Sequence, residues 1–338
     1  MTLFNKKLFI LTFVLLSSTV YSQNVVPPYA VGTWQGFRDA AVCFTFDDGY
    51  QSQIKIAVPM FDKYGFKMTM FIIIYWSPTW AALQKAASNG HEIASHTYSH
   101  LALSSLNDAR QTFEYKKSQE EINTHIKGQK CLTMSYPFCD AGKESICRKY
   151  YIAARGCSGK IELSTPSNIM NISSITCGTL GNVKTTKDFC DKADSATASK
   201  GLVVFLIHNI DSVEGYSPVT KDNLQGALDY MKLNQNKFWV STFGNIVRYI
   251  KERNSVSVHE LAVKDSIISF QLTDALDNTI YNYPVTMRRQ LPADWPSAIV
   301  SQKGKAINSR TVVIDSTKYI MFDVVPNNGD ILIIKNMR

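Results

Sequence analysis

Two adjacent carboxylates at the end of an apolar segment constrain this chain more than any other feature. Residues 40–46 form an apolar run with the β-rich composition of a buried strand, and Asp47, Asp48 and Gly49 follow it directly. Burying two neighbouring carboxylates is costly, because each raises the pKa of the other. We therefore expect a bound cation to neutralise the pair, or one aspartate to act as a base. Gly49 permits the tight turn that directs both side chains toward one point.

Two histidines four residues apart form the second half of the pattern. His96 and His100 follow another strand-like segment, residues 91–95, and a helical turn would bring both imidazoles to the same point. Two histidines and one carboxylate leave a fourth coordination position open, which is typical of a catalytic zinc site. Either motif alone fits an ordinary surface turn. The two together, each at the end of a strand, favour a metal centre.

These segments, with a third, resemble the motifs of a known family. Thr45-Phe46-Asp47-Asp48-Gly49, the segment from His96 to His100, and Leu206-Ile207-His208 are similar to the first, second and fifth motifs of the polysaccharide deacetylases (NodB-homology proteins, carbohydrate esterase family 4). The resemblance covers about residues 38–253. It implies a distorted, incomplete (β/α) barrel of about seven strands, similar to a TIM barrel.

The resemblance also implies a role for each matching residue. Asp48, His96 and His100 would hold a divalent metal, with zinc expected. Asp47 would be the base that takes a proton from a water acidified by the metal. His208 would be the acid that protonates the leaving group, and nearby carboxylates are expected to keep it protonated.

Two of the family's motifs differ in this chain. The third motif has an arginine two residues before Pro-Tyr, whereas here the segment is Ser135-Tyr136-Pro137-Phe138, near which a backbone N–H is expected to stabilise the oxyanion. The family's arginine orients the base, and Arg155, after the next predicted strand, is the candidate to replace it. A plain surface position for Arg155 is the alternative. No segment matches the fourth motif, so the partner of the catalytic histidine stays unassigned.

Aromatic residues are expected around the mouth of this site. The predicted substrate-binding residues are Tyr50, Trp76, Tyr136 and Phe138, whose aromatic faces would stack well on sugar rings, together with Pro137. Positions inside the core are the alternative for the same side chains.

The rest of the chain predicts two domains. Strand-like and helical segments alternate up to residue 256, which indicates a parallel sheet, and polar residues follow the strands as at the C-terminal face of a barrel. From residue 257 to 338, strand-like runs separated by turns predict a small antiparallel β-domain, with a sandwich as the expected form. This domain would brace the barrel or bind carbohydrate. The lack of a clear aromatic platform beyond Trp295 favours bracing.

Residues 1–22 are typical of a secretory signal peptide. Lys6 and Lys7 precede an apolar stretch that is too short to span a bilayer, and residues 20–22 form a small-residue cleavage site. We therefore expect the mature protein, residues 23–338, to be secreted or periplasmic and without stable membrane insertion. The formal net charge of +8 less these two lysines gives +6. No basic stripe with interleaved aromatics occurs, which argues against nucleic acid as a partner.

The seven cysteines suit an oxidising compartment. Six of them lie between residues 131 and 190 and allow up to three disulfides, with 15 possible pairings. Cys43 lies inside the first predicted strand, where a buried free thiol is expected.

These features predict a secreted, metal-dependent polysaccharide deacetylase that hydrolyses acetyl groups from a polysaccharide or oligosaccharide. Both an N-acetylglucosamine polymer and acetylated xylan fit, and the extra β-domain of a secreted chain slightly favours xylan. The alternative is a catalytically weakened carbohydrate-binding protein that retains the metal site, and the absent third-motif arginine is its one support. The presence of both Asp47 and His208 argues against it. A serine hydrolase is unsupported, because no Gly-x-Ser-x-Gly segment occurs.

Overall fold

The computed structural model describes residues 27–211 and 215–337. Within them, a parallel sheet surrounded by helices is followed by two antiparallel sheets. This arrangement confirms the predicted fold class, a distorted (β/α)7-type barrel with a small all-β domain. The signal peptide predicted for residues 1–22 lies outside the described residues.

The strands are numbered along the chain, and the first, β1 (Tyr29–Val31), belongs to the C-terminal domain. The next strands form the parallel sheet. They are β2 (Ala40–Asp48), β3 (Thr69–Ile72), β4 (Glu92–Ser95), β5 (Thr133–Ser135), β6 (Ala153–Arg155), β7 (Ile175–Thr176), β8 (Leu202–Ile207) and β9 (Phe238–Val240).

Strand β2 lies at the centre of this sheet. The strand order is β6-β5-β4-β3-β2-β8-β7, and β9 pairs with the beginning of β2. Every residue of β2 is buried, because the strand has neighbours on both edges and helices on the outer face of the sheet. Its apolar run therefore reads as a continuous hydrophobic segment that ends only at the two aspartates.

Helices connect most of these strands, and several begin at a polar side chain that accepts a backbone hydrogen bond. Asn107, Thr185, Thr220 and Thr242 provide such N-caps. Ser77, which precedes Pro78, adopts a left-handed conformation with φ 55°, and the next helix begins three residues later, at Trp80. The helices are α1 (Val58–Tyr64), α2 (Trp80–Ser88), α3 (Asp108–His125), α4 (Glu144–Cys147), α5 (Thr186–Ala198), α6 (Lys221–Leu233) and α7 (Phe243–Ser255).

The C-terminal domain consists of two antiparallel sheets, as predicted. Its strands are β10 (Ser257–Val263), β11 (Ile267–Thr273), β12 (Val285–Gln290), β13 (Ser297–Gln302), β14 (Lys305–Ile307), β15 (Ser309–Ile314), β16 (Thr317–Val324) and β17 (Ile331–Asn336). The sheets have the orders β1-β12-β16-β15 and β10-β11-β17-β13-β14. The predicted boundary at residue 257 stays a prediction, but β1 joins the second domain from the N-terminal side of the barrel.

The two domains share a hydrophobic core. Trp239 and Tyr249 of the barrel contact Tyr283 of the second domain, with ring centroids 6.1 and 6.5 Å apart. One buried cluster continues from these rings to Phe270 and other inward residues of both antiparallel sheets. Trp295 is itself 1% exposed and therefore belongs to this core, not to a sugar-binding surface. These contacts favour a bracing role for the domain.

The cysteines of the described residues pair once, between Cys139 and Cys157. This disulfide joins the segments that follow β5 and β6. Cys43 is buried and free, as predicted. None of the helices in residues 27–211 and 215–337 has the length and apolarity that a bilayer span requires.

Truncation of Phe270 tests the shared core. Phe270 is fully buried between Tyr29 and Phe322, so Phe270→Ala is expected to lower the free energy of unfolding by about 3–5 kcal/mol. Because the core is continuous, barrel and β-domain should unfold in one calorimetric transition. Val313→Ala, at a side chain that is 66% exposed, is the control and should change stability by less than about 0.5 kcal/mol. Two separate transitions would contradict a shared core.

Candidate active site

The predicted site residues meet at one edge of the parallel sheet. Asp47 and Asp48 end β2, His96 follows β4, Arg155 ends β6 and His208 follows β8. The carboxyl ends of parallel strands lie on the same side of a barrel, so these side chains converge there although they are far apart in sequence.

Asp48, His96 and His100 form a compact group of possible metal ligands. One potential ligand atom from each residue lies within 4.8 Å of the others. Oδ1 of Asp48 is 3.6 Å from Nε2 of each histidine. In the described part of the chain, this buried Oδ1 has no hydrogen-bond partner. A buried, unpartnered carboxylate oxygen facing two imidazole nitrogens fits a divalent cation.

The hydrogen bonds of His96 identify its tautomer. Nδ1 of His96 lies 3.0 Å from the backbone oxygen of Ser135, which can only accept, so Nδ1 carries the hydrogen. Nε2 is then the nitrogen with a free lone pair, and it faces Asp48. Burial lowers the pKa of His96 to about 3 despite the opposing effect of Asp47. His96 is therefore neutral and oriented as a metal ligand requires.

His100 reaches the site from a loop, so the predicted helical turn is wrong although the predicted convergence is right. Thr97 and His100 adopt left-handed conformations, with φ 66° and 58°. Buried Glu114 holds this loop by accepting hydrogen bonds from the backbone N–H and the hydroxyl of Ser99, at 2.7 and 2.9 Å. Glu114 gives no signal in the sequence, because it is a glutamate on a mostly polar helix.

Asp48 is the less stabilised of the two neighbouring carboxylates. Burial, and then the charge of Asp47, raise the pKa of Asp48 to about 7, while a hydrogen bond with Tyr50 opposes the shift. The carboxylate is thus poorly stabilised by the protein itself. A divalent cation would supply the missing charge.

Asp47, by contrast, has a cation of the protein as its partner. The guanidinium of Arg155 donates a hydrogen bond to Oδ2 of Asp47, and both side chains are almost fully buried. Burial alone raises the pKa of Asp47, but Arg155, His96 and His208 together outweigh it, so the net pKa lies below its ordinary value. Asp47 therefore stays ionised at neutral pH.

Arg155 lies beside the position at which the third motif lacks its arginine. Ser135 stands where the family's motif has its arginine, and Arg155 is its direct partner in the pairing of β5 with β6. Arg155 thus lies one strand along the sheet from Ser135 at the same level, and the hydroxyl of Ser135 contacts His96 at 2.7 Å. The surface alternative for Arg155 is wrong, because the residue is 1% exposed.

His208 lies on the other side of Asp47, next to the exposed ring of Tyr216 at a centroid distance of 4.8 Å. Burial is the main reason that the pKa of His208 lies below its ordinary value, and the attraction of Asp47 does not compensate. The prediction that carboxylates keep His208 protonated is therefore wrong for the resting protein. Nδ1 of His208 is buried and has no hydrogen-bond partner among the described residues, in keeping with the absent fourth motif.

Three of the predicted substrate-binding residues border the site. Trp76 and Phe138 are 51% and 68% exposed, and their rings lie 5.8 and 4.6 Å from that of His100. Tyr50 lies between Trp76 and Asp48. Tyr216 completes this aromatic border and was missed, because it belongs to no motif.

The other two predicted substrate-binding residues do not face the mouth. Tyr136 is 2% exposed, and its hydroxyl donates a hydrogen bond to the backbone oxygen of Met170 at 2.8 Å. Pro137 is buried and accepts a backbone hydrogen bond from Asp140. Both side chains support the loop that presents Phe138, so their assignment to substrate binding is wrong.

Comparison with known proteins agrees with this geometry. The sequence model described as polysaccharide deacetylase matches residues 35–150. A gellan lyase of a Bacillus species is 30% identical over 325 residues, which is 90% of this chain and 13% of that protein. A probable peptidoglycan-N-acetylglucosamine deacetylase of Arthroderma benhamiae is 34% identical over 104 residues, 29% of this chain and 23% of the relative. The Bacillus subtilis protein named polysaccharide deacetylase YxkH is 31% identical over 113 residues, 32% of this chain and 40% of the relative.

The chain spans less than half the length of each of these relatives. The matched segment 35–150 nevertheless contains Asp47 and all three residues of the metal-ligand group, Asp48, His96 and His100. By this match, residues 35–150 form a segment of the polysaccharide deacetylase family.

Proposed function

We propose that the chain is a secreted, metal-dependent hydrolase that removes acetyl groups from a polysaccharide. The observation that carries this proposal is that the two neighbouring carboxylates face different partners. Oδ2 of Asp47 is paired with Arg155, whereas Oδ1 of Asp48 lies 3.6 Å from Nε2 of both histidines. A site that only bound carbohydrate would need neither arrangement. Secretion rests on the signal-like residues 1–22.

Asp48, His96 and His100 would hold the metal. Two imidazoles and one carboxylate, with room for a further ligand, suit zinc best among the common divalent ions. When bound, the metal would supply Lewis-acid chemistry, polarising an acetyl carbonyl and making a water easier to deprotonate.

Asp47 and His208 would move the protons. Asp47, kept ionised by Arg155, is the base that accepts a proton from the attacking water. His208 is neutral in most molecules of the resting protein, so the fraction that carries a second proton would donate it to the departing oxygen or nitrogen. Because its pKa is lowered, its protonated form is a stronger acid than an ordinary imidazolium. A backbone N–H near Phe138 would help to stabilise the oxyanion.

An acetylated polysaccharide is the substrate class that the surroundings favour. The exposed rings of Trp76, Phe138 and Tyr216 form an open border, which suits a long sugar chain better than an enclosed small molecule. The similarity to a gellan lyase extends over both domains, and the names of the other relatives also refer to polysaccharides or peptidoglycan. Acetylated xylan and an N-acetylglucosamine polymer both remain within this class, with xylan slightly favoured. The binding-protein alternative has lost its support, because Arg155 supplies the guanidinium that the third motif lacks.

Acetate release tests the proposal directly. The mature protein, residues 23–338, would be incubated with acetylated xylan, chitooligosaccharides and peptidoglycan, first after chelation and then with zinc restored. We expect release from one of these substrates only when zinc is present. Release that is insensitive to chelation would contradict metal dependence. Absence of release from all three, with zinc shown to be bound, would contradict the deacetylase proposal for these substrates and return the binding protein as the better hypothesis.

Substitution of the two aspartates separates their roles. Asp47→Ala should lower kcat by about 10²–10⁴-fold, because the base is lost, while zinc affinity measured by calorimetry stays within about threefold. Asp48→Ala is the comparison variant and should lose zinc binding, because it removes one of three protein ligands. Loss of zinc from Asp47→Ala with retention in Asp48→Ala would mean that the two roles are exchanged.

Removal of Arg155 should leave the buried carboxylate of Asp47 without its guanidinium partner. Arg155→Met is expected to lower kcat by about 10²-fold, and the free energy of unfolding by about 3–5 kcal/mol, because a buried ion pair loses one partner. Arg248→Met is the matched control, since Arg248 contacts Asn245, Asn282 and the ring of Tyr283 far from the site. An Arg155→Met protein with the kcat of the wild type would exclude Arg155 from the reaction.

A further inference from the structure

The pairing of β2 with β8 stops immediately before the proposed base and acid. The last paired residues of the two parallel strands are Phe46 and Ile207, and the next residue on each strand is Asp47 and His208. On its other edge, β2 continues to pair with β3 as far as Asp48. The separation of Asp47 from His208 is therefore not fixed by sheet hydrogen bonds between their own strands.

The side chain of Gln53 bridges this gap. Its Nε2 donates hydrogen bonds to the backbone oxygens of both Asp47 and His208, at 2.5 and 2.8 Å. Gln53 is fully buried. A single amide group thus replaces the missing rung of the ladder and joins the two strand ends that carry the proposed proton-transfer residues.

The orientation of this amide follows from its partners. Both neighbours are carbonyl oxygens, which only accept, so the NH₂ group and not Oε1 must face them. Oε1 of Gln53 is buried and has no partner within residues 27–211 and 215–337. The chain keeps a buried unpartnered oxygen here, which costs free energy that an apolar side chain would avoid.

The segment around Gln53 reinforces the bridge. Gln53 begins a π-helical turn (Gln53–Ala57), an uncommon local structure that is frequent at functional sites. The preceding residue, Ser52, donates a hydrogen bond to the side chain of Asn209, the residue after His208, and accepts one from the backbone N–H of Ile210 at 3.3 Å. Two consecutive residues therefore attach the loop after β2 to the segment after β8.

We infer that Gln53 is a positioning residue that sets the distance between the proposed base, Asp47, and the proposed acid, His208. The inference rests on the proposed function, because it assumes that these two residues exchange protons with one substrate. Gln53 touches no reacting atom. It acts through the backbone, so its loss should impair the chemical step more than substrate binding.

Gln119 provides a closely matched control. Its Nε2 also donates to two backbone oxygens, those of Cys131 and Tyr150. These residues precede β5 and β6, at the opposite end of the barrel from the site. Gln53→Met and Gln119→Met therefore remove the same kind of bridge at the two ends of the same sheet.

Steady-state acetate release, zinc affinity and thermal unfolding would be measured for both variants and the wild type. We expect Gln53→Met to lower kcat by about 10–100-fold, with KM and the zinc dissociation constant within about twofold of wild type. Gln119→Met should lose a similar amount of thermal stability but keep its kcat within about twofold. Equal kcat values in all three proteins, or equal losses in both variants, would overturn the inference.

Two additions keep the test decisive. Gln53→Glu preserves the size of the side chain but has at most one hydrogen to donate. It should therefore also lower kcat, and it replaces Gln53→Met in the test if that variant does not fold. Crystal structures of wild type and variant give a readout without activity: the backbone oxygens of Asp47 and His208 should move apart, and an unchanged separation would overturn the inference. If wild type and Gln119→Met both fail to release acetate, the proposed function fails while this structural comparison still decides the role of Gln53.

Discussion

The structure of the site depends on the burial of two neighbouring carboxylates at the end of one central strand. Two adjacent buried aspartates cannot both be stabilised in the same way, because each charge opposes the other. In this chain the two aspartates therefore have different partners. Asp47 has a guanidinium as its partner and a lowered pKa, whereas Asp48 has a pKa raised to about 7 and an oxygen 3.6 Å from two imidazole nitrogens. This asymmetry is what the proposed division into a proton-accepting and a metal-binding carboxylate requires.

Arg155 illustrates that a guanidinium can reach Asp47 from a different sequence position than the third motif provides. In a parallel sheet, directly paired residues on adjacent strands lie about 5 Å apart, so an arginine can change strands and still reach the same aspartate. Ser135 and Arg155 are paired in this way. The exchange also leaves room for the small hydroxyl of Ser135 beside His96.

Much of the barrel could be predicted because its signals are local. β2 and β8 are apolar runs, and the polar residues that follow them mark the C-terminal edge of the sheet. Helix α5 gives a weak sequence signal, because it is polar apart from the few side chains that it buries, such as Phe189 and Ala193. The first strand of the sandwich, β1, could not be assigned to the second domain, because its partner β12 lies more than 250 residues later in the chain.

The candidate site was predictable as far as its motifs extend. Asp48, His96 and His100 converge as expected, but the geometry of their loop depends on left-handed residues that the sequence does not specify. Tyr136 was assigned to the substrate because an aromatic residue in a motif does not show which way it points. Gln53 and Glu114 act on backbone atoms, and such contacts become visible only when the strand ends and the loops have been placed.

The position of the second domain can be related to the backbone strain of the candidate site. Asp48, Thr97, His100 and Phe138 all have positive φ, between 55° and 73°, and such conformations cost on the order of 1–3 kcal/mol each for residues other than glycine. They persist only when the surrounding structure holds them in place. The sandwich shares its core with the barrel on the side of Trp239 and Tyr249, at the beginning of the strands, and therefore adds buried apolar surface without occupying the edge where the chemistry lies. The apolar contacts of the sandwich and the proposed active site thus lie at opposite ends of the same sheet, an arrangement that fits the expected bracing role.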